Sequence, residues 1–259
     1  MLNEIINNKL KEVNQLRETL DISGININSN KKNHFYKRLL KNQNNKKNSI
    51  IAEIKRRSPS KGMLAENLNV SKTVSEYASG GAACISVLTE KDYFNGSNED
   101  LLEAKNSINL PLLRKDFMLD PIQIYESKML GADCVLLIVS ALSQSTYKKL
   151  FELASQLDLD VLTEVHDIYE LDFALSQNSK LIGINNRNLK SFDVDINTSI
   201  DLARTINDND IVLVSESGIS SSSDIITLNS SGIYTFLVGE HLIKSKNITN
   251  ELGVLINGE

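Results

Sequence analysis

Cysteines and long apolar runs are both scarce in this sequence. Only 2 of the 259 residues are cysteines, too few for a disulfide framework in a chain of this size. Cys84 and Cys134 each begin an apolar run, so we expect both in the core of a protein from a reducing compartment. No apolar stretch approaches the roughly 20 residues that span a bilayer. Residues 1–13 are too polar for a secretory signal, and we therefore expect a cytoplasmic protein that enters no membrane.

Positive charge is also in deficit. The chain has 28 lysine and arginine residues against 33 aspartate and glutamate residues, and its formal net charge is −5. Nucleic-acid-binding domains usually present a basic surface, so this balance argues against a nucleic-acid partner. The basic clusters at residues 46–47 and 55–57 are too short to reverse that argument.

The first 48 residues differ in pattern from the rest and predict a helical extension. Apolar residues recur at helical spacing over residues 2–20, which predicts an amphipathic helix. Phe35, Tyr36 and Leu39 predict a second, short helix, and residues 42–48 predict a solvated loop. We expect residues 1–259 to form a single domain in which residues 1–48 are the N-terminal extension.

From residue 49 onward, short apolar runs alternate with amphipathic segments. The runs are rich in valine, isoleucine and leucine and are bounded by turn residues, as is typical of buried parallel strands. They lie at residues 50–54, 84–88, 111–114, 134–139, 160–165, 181–184, 211–215 and 235–239. Helices are predicted between them, for example at 122–130 and 167–176. Gly81, Gly131 and Gly232 stand just before strands, where a helix C-cap favours glycine.

Eight strands in alternation with helices predict a (β/α)₈ TIM barrel with an N-terminal helical extension. The main alternative is a doubly wound open sheet, which usually has fewer strands. No GxGxxG motif follows the first apolar run, so the sequence lacks the dinucleotide signature often found in that alternative fold.

Ionisable and amide side chains follow most of the apolar runs, where a barrel enzyme has its active site. Any one of them could mark only the passage from strand to solvated loop. Lys55, Lys115 and Glu164 stand so close to the apolar runs that an unpaired charge would be costly. We therefore interpret these three residues as parts of a functional site.

Two small-residue turns predict a phosphate-binding site. Ser217 and Gly218 follow the seventh apolar run, and Gly239 follows the eighth. Loops at these two places usually hold phosphate in such barrels, through backbone N–H groups and a helix N-terminus. A sugar-phosphate isomerase or epimerase and a non-catalytic phosphate-binding barrel both fit these features alone.

Six sequence blocks closely resemble those of the indole-3-glycerol phosphate synthase family. They cover nearly the whole chain, and IAEIK-x-x-SPS together with LRKDF is highly specific. The blocks are IAEIKRRSPSKG (51–62), LTEKDYFNGSNEDL (88–101), LRKDFMLDPIQIYES (113–127), TEVHD (163–167), IGINNRNLKSFDVD (182–195) and VSESGI (214–219). The N-terminal helical extension is also typical of the family.

The resemblance implies a set of site residues, carried over motif by motif. Lys115 matches the family's general acid and Glu164 its general base, with Lys55, Glu53 and Asn185 as further catalytic residues. The implied substrate-binding residues are Ser58, Phe117, Leu136, Arg187, Leu189, Glu216, Ser217, Gly218, Gly239 and Glu240.

The resemblance also implies the reaction and the partners. The substrate is 1-(2-carboxyphenylamino)-1-deoxyribulose 5-phosphate, which is closed, decarboxylated and dehydrated to indole-3-glycerol phosphate in tryptophan biosynthesis. The family uses no cofactor and no metal. Two lysines together with Phe117 favour the synthase over an isomerase, and the presence of both acid and base argues against a non-catalytic protein. We expect the chain to act as a monomer.

Two of the three histidines require an interpretation of their own. His166 follows Glu164 by two residues, so a metal site is conceivable, but His34 and His241 lie in other segments and complete no ligand cluster. We therefore interpret His166 as a loop residue near the site. His241 stands where the family usually has serine in the last loop, which matters only if that hydroxyl holds the phosphate.

Overall fold

The computed structural model of the protein describes residues 2–25, 34–188 and 191–258, in which eight parallel strands close into a barrel. Neighbouring strands pair in sequence order, and the first strand pairs with the last. The strands are β1 (Ser49–Ile54), β2 (Cys84–Leu88), β3 (Leu112–Lys115), β4 (Cys134–Ile138), β5 (Asp160–Val165), β6 (Leu181–Asn185), β7 (Val212–Glu216) and β8 (Thr235–Val238). The predicted (β/α)₈ barrel is confirmed.

Helices follow the strands around the outside of the barrel. Over the described residues they are α1 (Leu2–Thr19), α2 (His34–Asn44), α3 (Val70–Ser79), α4 (Asn98–Ser107), α5 (Pro121–Met129), α6 (Gln144–Gln156), α7 (Ile168–Ser176), α8 (Asn197–Ala203), α9 (Ser222–Asn229), α10 (Glu240–Lys244) and α11 (Ile248–Asn257). Asp120 and Ser221 form capping boxes before α5 and α9. The glycines predicted at helix ends, Gly81, Gly131 and Gly232, have positive φ angles of 92°, 79° and 82°.

Side chains alternate between two apolar layers along each strand. In β1, Ile50, Ala52 and Ile54 belong to the layer between strands and helices, whereas Ile51 belongs to the layer inside the barrel. Every residue of β1 is buried because both faces of the strand are covered. This double burial explains why the strands are continuous apolar runs in the sequence rather than alternating ones.

The N-terminal extension covers both ends of the barrel. Phe35 and Leu39 of α2 pack into the inner apolar layer at the amino-terminal end of the strands. The α1 helix lies at the other end, where Leu2 and Ile5 reach the cleft described below. The loop predicted from residue 42 begins only after α2 ends, because polar side chains of its last turn bind the barrel: Gln43 donates a 2.9 Å hydrogen bond to the Ile211 carbonyl.

Among the described helices, none combines the length and the apolar composition that crossing a membrane requires.

Candidate active site

A cleft with an empty volume of about 1000 Å³ opens to solvent at the carboxyl-terminal ends of the strands. Glu216 and Gly239 lie behind its lining, Gly218 lines a neighbouring cavity, and Leu189 falls outside the described residues. The other predicted site residues line the cleft together: Glu53, Lys55, Ser58, Lys115, Phe117, Leu136, Glu164, Asn185, Arg187, Ser217 and Glu240.

The floor of the cleft is a buried chain of charged side chains. Lys115 Nζ lies 3.0 Å from Glu53 Oε1 and 3.2 Å from Glu216 Oε2. Lys55 contacts the other carboxylate oxygen of Glu53. Glu53 and Glu216 are each 1% exposed, so each charge depends on its neighbours to offset the loss of hydration.

These neighbours shift the pKa values of the buried groups in different directions. Burial opposes the charge of Glu53, but Lys115 and Lys55 outweigh it and lower the Glu53 pKa to about 2. Burial also disfavours the Lys115 ammonium, but Glu53, Glu216 and Glu164 raise its pKa well above the usual value. Burial raises the pKa of Glu216 to about 7, since Lys115 offsets it only in part and Glu164 repels the charge. Lys115 is therefore a protonated acid near neutral pH.

Two glycines make room for the buried carboxylates. A Cβ on Gly239 would overlap the carboxylate of Glu53, and a Cβ on Gly183 would overlap that of Glu216. Gly239 was predicted as part of the phosphate site. The structure places it against Glu53 as well, so its lack of a side chain has a second reason.

A second polar group, from β5 and β6, joins the cleft. Asn185 Nδ2 donates to Glu164 Oε1 at 3.3 Å, and Asn185 Oδ1 accepts hydrogen bonds from Ser217 Oγ and the Arg187 N–H, each at 3.0 Å. Burial raises the pKa of Glu164, but the nearby imidazole of His166, 3.3 Å away, and the charge of Lys115 lower it on balance. Glu164 is thus a carboxylate near neutral pH, which suits a proton acceptor.

Apolar side chains form the rest of the wall. The rings of Phe117 and Phe94 lie with their centroids 6.4 Å apart and their planes tilted by 40°. Leu136 lies in the same lining. Leu2 and Ile5 of α1 complete this wall. The cleft thus places a ring-sized apolar surface beside two cations and a carboxylate.

Several lining residues were absent from the sequence prediction. Phe94 lies in the LTEKDYFNGSNEDL block, so its place in a recognised motif was a usable signal. Phe192 also lies in such a block, whereas Leu2 and Ile5 belong to the N-terminal helix, and no sequence spacing relates that helix to the strand ends. An amphipathic pattern shows that one helix face is buried without showing what covers it.

A side cavity of about 940 Å³ adjoins the cleft at the loops after β7 and β8. Arg187 lines both spaces, and Lys61, Lys244 and Gly218 line the side cavity. Glu240 and Glu251 line it as well, and Lys244 pairs with Glu240 at 2.6 Å, so Arg187 and Lys61 are the side chains that suit an anionic group there. His241 lines the side cavity too, but its Nε2 lies 2.6 Å from Glu251 Oε1, so its ring is held by α11.

Among the described residues, one group of three potential metal ligands comes together, formed by Glu12, Glu90 and Asp92. Glu90 already accepts hydrogen bonds from backbone N–H groups of the following turn, and Glu12 pairs with Lys9 at 2.8 Å. The group does not line the cleft. The expectation that the protein uses no cofactor stays a prediction.

Known proteins resemble this chain in sequence over most of its length. The family model described as indole-3-glycerol phosphate synthase matches residues 2–255. An indole-3-glycerol phosphate synthase of Delftia acidovorans is 48% identical over 202 residues, which cover 76% of this chain and 75% of that protein. One of Carboxydothermus hydrogenoformans is 45% identical over 218 residues, covering 84% and 83%.

Solved structures at low sequence identity share the fold. A 3-hexulose-6-phosphate synthase is 12% identical with a TM-score of 0.63, covering 81% of this chain and 98% of that one. A thiamine phosphate pyrophosphorylase from Pyrococcus furiosus is 15% identical with a TM-score of 0.59, covering 82% and 94%. At such identities the likeness concerns the barrel alone.

Proposed function

The chain belongs to the indole-3-glycerol phosphate synthase family, and from that premise we propose which of its residues perform each step of the reaction. The enzyme is a carboxy-lyase of tryptophan biosynthesis. It closes the pyrrole ring of 1-(2-carboxyphenylamino)-1-deoxyribulose 5-phosphate, releases carbon dioxide and removes water. The assignment of roles rests on one observation above all: a lysine from β3 and a glutamate from β5 line the same cleft.

Ring closure requires an acid at the C2′ carbonyl of the substrate. An aromatic carbon attacks this carbonyl only when its oxygen accepts a proton or a strong hydrogen bond. Lys115 provides that proton from a position fixed by Glu53. Lys55 holds the substrate carboxylate or shares in proton transfer, and its ammonium is half-buried at the same edge of the cleft.

Decarboxylation and dehydration follow from the product of ring closure. The anthranilate ring, one carbon of which has attacked the carbonyl, has lost its aromaticity, and its nitrogen is cationic and accepts the electron pair that carbon dioxide leaves behind. Glu164 then removes a proton while an ammonium protonates the departing hydroxyl. Asn185 orients the base through its 3.3 Å hydrogen bond, and Glu53 keeps both lysines in place.

Binding is assigned to the walls of the cleft. Phe117 and Leu136 pack against the anthranilate ring and exclude water, which strengthens the electrostatic interactions of the charged groups nearby. The phosphate lies toward the loops after β7 and β8, where Gly218 lines the side cavity, Ser217 lines the cleft, and Arg187 from the loop after β6 lines both. The 5-phosphate thus sits at one end of the cleft and the aromatic ring at the other.

The remaining expectations are part of the same proposal. We take residues 1–259 as one domain that acts as a monomer in the cytoplasm, without nucleic acid, metal or cofactor. The α1 and α2 helices support the single domain, because they pack on opposite ends of the same barrel. Sedimentation of the purified protein tests the monomer, and activity that survives exhaustive chelation tests the independence from metal.

The decisive experiment separates carbon dioxide release from indole formation. Glu164→Gln keeps the shape of the side chain but removes its basicity, so dehydration should slow more than ring closure and decarboxylation. We expect single-turnover carbon dioxide release to fall less than indole fluorescence. Glu152→Gln, on the exposed face of α6, is the matched control and should leave both signals unchanged.

Each competing outcome has a distinct signature. Equal losses of both signals in Glu164→Gln would place this residue at or before ring closure. A sugar-phosphate isomerase releases no carbon dioxide, and a binding protein gives neither signal, so the wild-type protein alone distinguishes these functions from the synthase.

A further inference from the structure

His166 lies between two carboxylates, only one of which belongs to the cleft. Its Nε2 lies 3.3 Å from Glu164 Oε1, and its Nδ1 lies 3.0 Å from Glu170 Oε2. The same Glu170 oxygen accepts the backbone N–H of His166 at 2.9 Å. One carboxylate thus holds both the ring and the main chain of this histidine.

The fold makes this arrangement rigid. Glu170 stands in the first turn of α7, whose N-cap Asp167 accepts the N–H of Glu170. Glu164 and His166 flank the last residue of β5. A strand end and a helix start therefore determine the positions of both carboxylates, and the imidazole lies between them.

We propose that His166 is a positioning residue which, as an imidazolium anchored by Glu170, keeps the Glu164 carboxylate ionised and directed into the cleft. This inference rests on the proposed function, because it concerns the group assigned as the base. It goes further by giving the base an electrostatic partner, which in turn has its own anchoring carboxylate.

The charges around both groups agree with this role. Glu164 faces the cations of His166 and Lys115, the carboxylate of Glu216 and the neutral amide of Asn185. Among the described residues, the charged groups in contact with the His166 ring are the carboxylates of Glu164 and Glu170. Burial alone would lower the pKa of His166, but the neighbouring Glu164 carboxylate and the hydrogen bond and charge of Glu170 raise it to about 10. The imidazole ring therefore stays charged near neutral pH.

The charge of the ring can be measured without any substrate. In ¹⁵N-labelled protein, the ring nitrogen signals lost in His166→Gln identify this residue among three histidines. We expect these signals to keep imidazolium shifts up to about pH 8.5, and to titrate at least one unit lower in Glu170→Gln. A ring that becomes neutral near its ordinary pKa of about 6.5 overturns the proposal.

The consequence for Glu164 appears in the pH dependence of kcat. A cation this close lowers a carboxyl pKa, so its removal raises that pKa and moves the acid limb of the profile upward. We expect His166→Gln to shift the acid limb up by about one pH unit, with KM little changed and kcat partly recovered at high pH. Asp172→Asn removes an exposed carboxylate from the same helix and serves as the control.

The outcomes distinguish this inference from the function on which it depends. An unshifted acid limb in a folded His166→Gln enzyme overturns the inference and leaves the synthase intact. A wild-type protein without turnover removes the proposed function, while the ring signals still test the charge state. His166→Asn provides a second variant with a smaller side chain, should the first one not fold.

Discussion

The charge balance of the cleft depends on the ammonium group of Lys115. Lys115→Met should lower kcat by roughly 10²–10⁴-fold, the usual worth of a positioned acid. It should also lower the free energy of unfolding by about 3–5 kcal/mol, because buried carboxylates lose their shared cation. Urea denaturation at pH 8 measures this effect.

The double variant Lys115→Met/Glu216→Gln separates the two roles of Lys115. Glu216 is the cleft carboxylate with the raised pKa, so replacing it by Gln should restore part of the lost stability. The kcat should stay as low as in Lys115→Met. A Lys115→Met protein as stable as the wild type would show that the buried charges are not coupled.

Gly239 offers a test of steric coupling between β8 and the catalytic centre. A methyl group at this position would overlap the Glu53 carboxylate. Gly239→Ala should therefore lower kcat by about 10²-fold through displacement of Glu53 and its lysines, in addition to any rise in KM. Gly253→Ala, in the interior of α11 with open space around it, is the control and should stabilise by roughly 0.5–1 kcal/mol. A change in KM alone would assign Gly239 to phosphate only.

Sequence patterns located much of the site, although its internal partners required coordinates. Lys55, Lys115 and Glu164 could be selected because charge next to an apolar run needs compensation. The pairing of Lys115 with Glu53 and Glu216 could not be read from spacing, since it depends on which side chains meet across the interior of a closed barrel.

At the scale of the elements, α1 is linked to the apolar wall of the cleft. Its buried Lys9 lies 2.9 Å from Asp116, which also accepts the Phe117 N–H at 2.8 Å. Lys9→Met should release α1 and loosen the apolar wall, raising KM roughly tenfold, or about 1.4 kcal/mol of binding, with a smaller effect on kcat.

Hydrogen exchange over residues 2–19 provides the measurement that locates this effect. Protection of α1 should fall in Lys9→Met and persist in Lys11→Met, which removes an exposed charge from the same helix. If the KM of Lys9→Met equals that of the wild type, α1 is not part of the binding wall.

The order of the elements followed from the sequence more completely than their ends did. Each apolar run became a strand, because burial on both faces permits few polar residues. The end of α2 was wrong by one turn: residues 42–44 are polar, but the side chains of Asn42 and Gln43 bind the barrel rather than water. The separation of α1 and α2 onto opposite ends of the barrel could not be predicted from either amphipathic pattern.

At the scale of the whole molecule, the end of the barrel away from the cleft should control stability rather than activity. Asp160, at the start of β5, accepts the N–H of Tyr36 at 3.0 Å. Burial raises the Asp160 pKa to about 6, only partly offset by the hydrogen bonds from α2. The folded state therefore binds a proton more tightly than the unfolded state does, so stability is lost as pH rises from about 4 through 6.

Asp160→Asn should remove this loss. Relative to the wild type, the variant should gain about 1.4 kcal/mol of unfolding free energy between pH 5 and pH 7.5, which is roughly half of the total linkage of about 3 kcal/mol, because the unfolded carboxyl is already ionised at pH 5. Its kcat and KM should stay unchanged because Asp160 lies far from the lining of the cleft. Equal stability differences at the two pH values would show that this carboxyl is ionised throughout.

The overlap between a Cβ at Gly183 and the carboxylate of Glu216 links two positions on neighbouring strands. Any side chain at 183 would occupy the space of the Glu216 carboxylate, so Gly183 is constrained as long as Glu216 stays, whereas Glu216 can become shorter while Gly183 stays. In evolutionary terms the two positions should vary together, because a larger residue at 183 is compatible only with a shorter one at 216. A lineage that lost this glutamate would be free to fill the glycine, and recovery of the acid would then require two changes, with glycine restored at 183 before glutamate returns at 216.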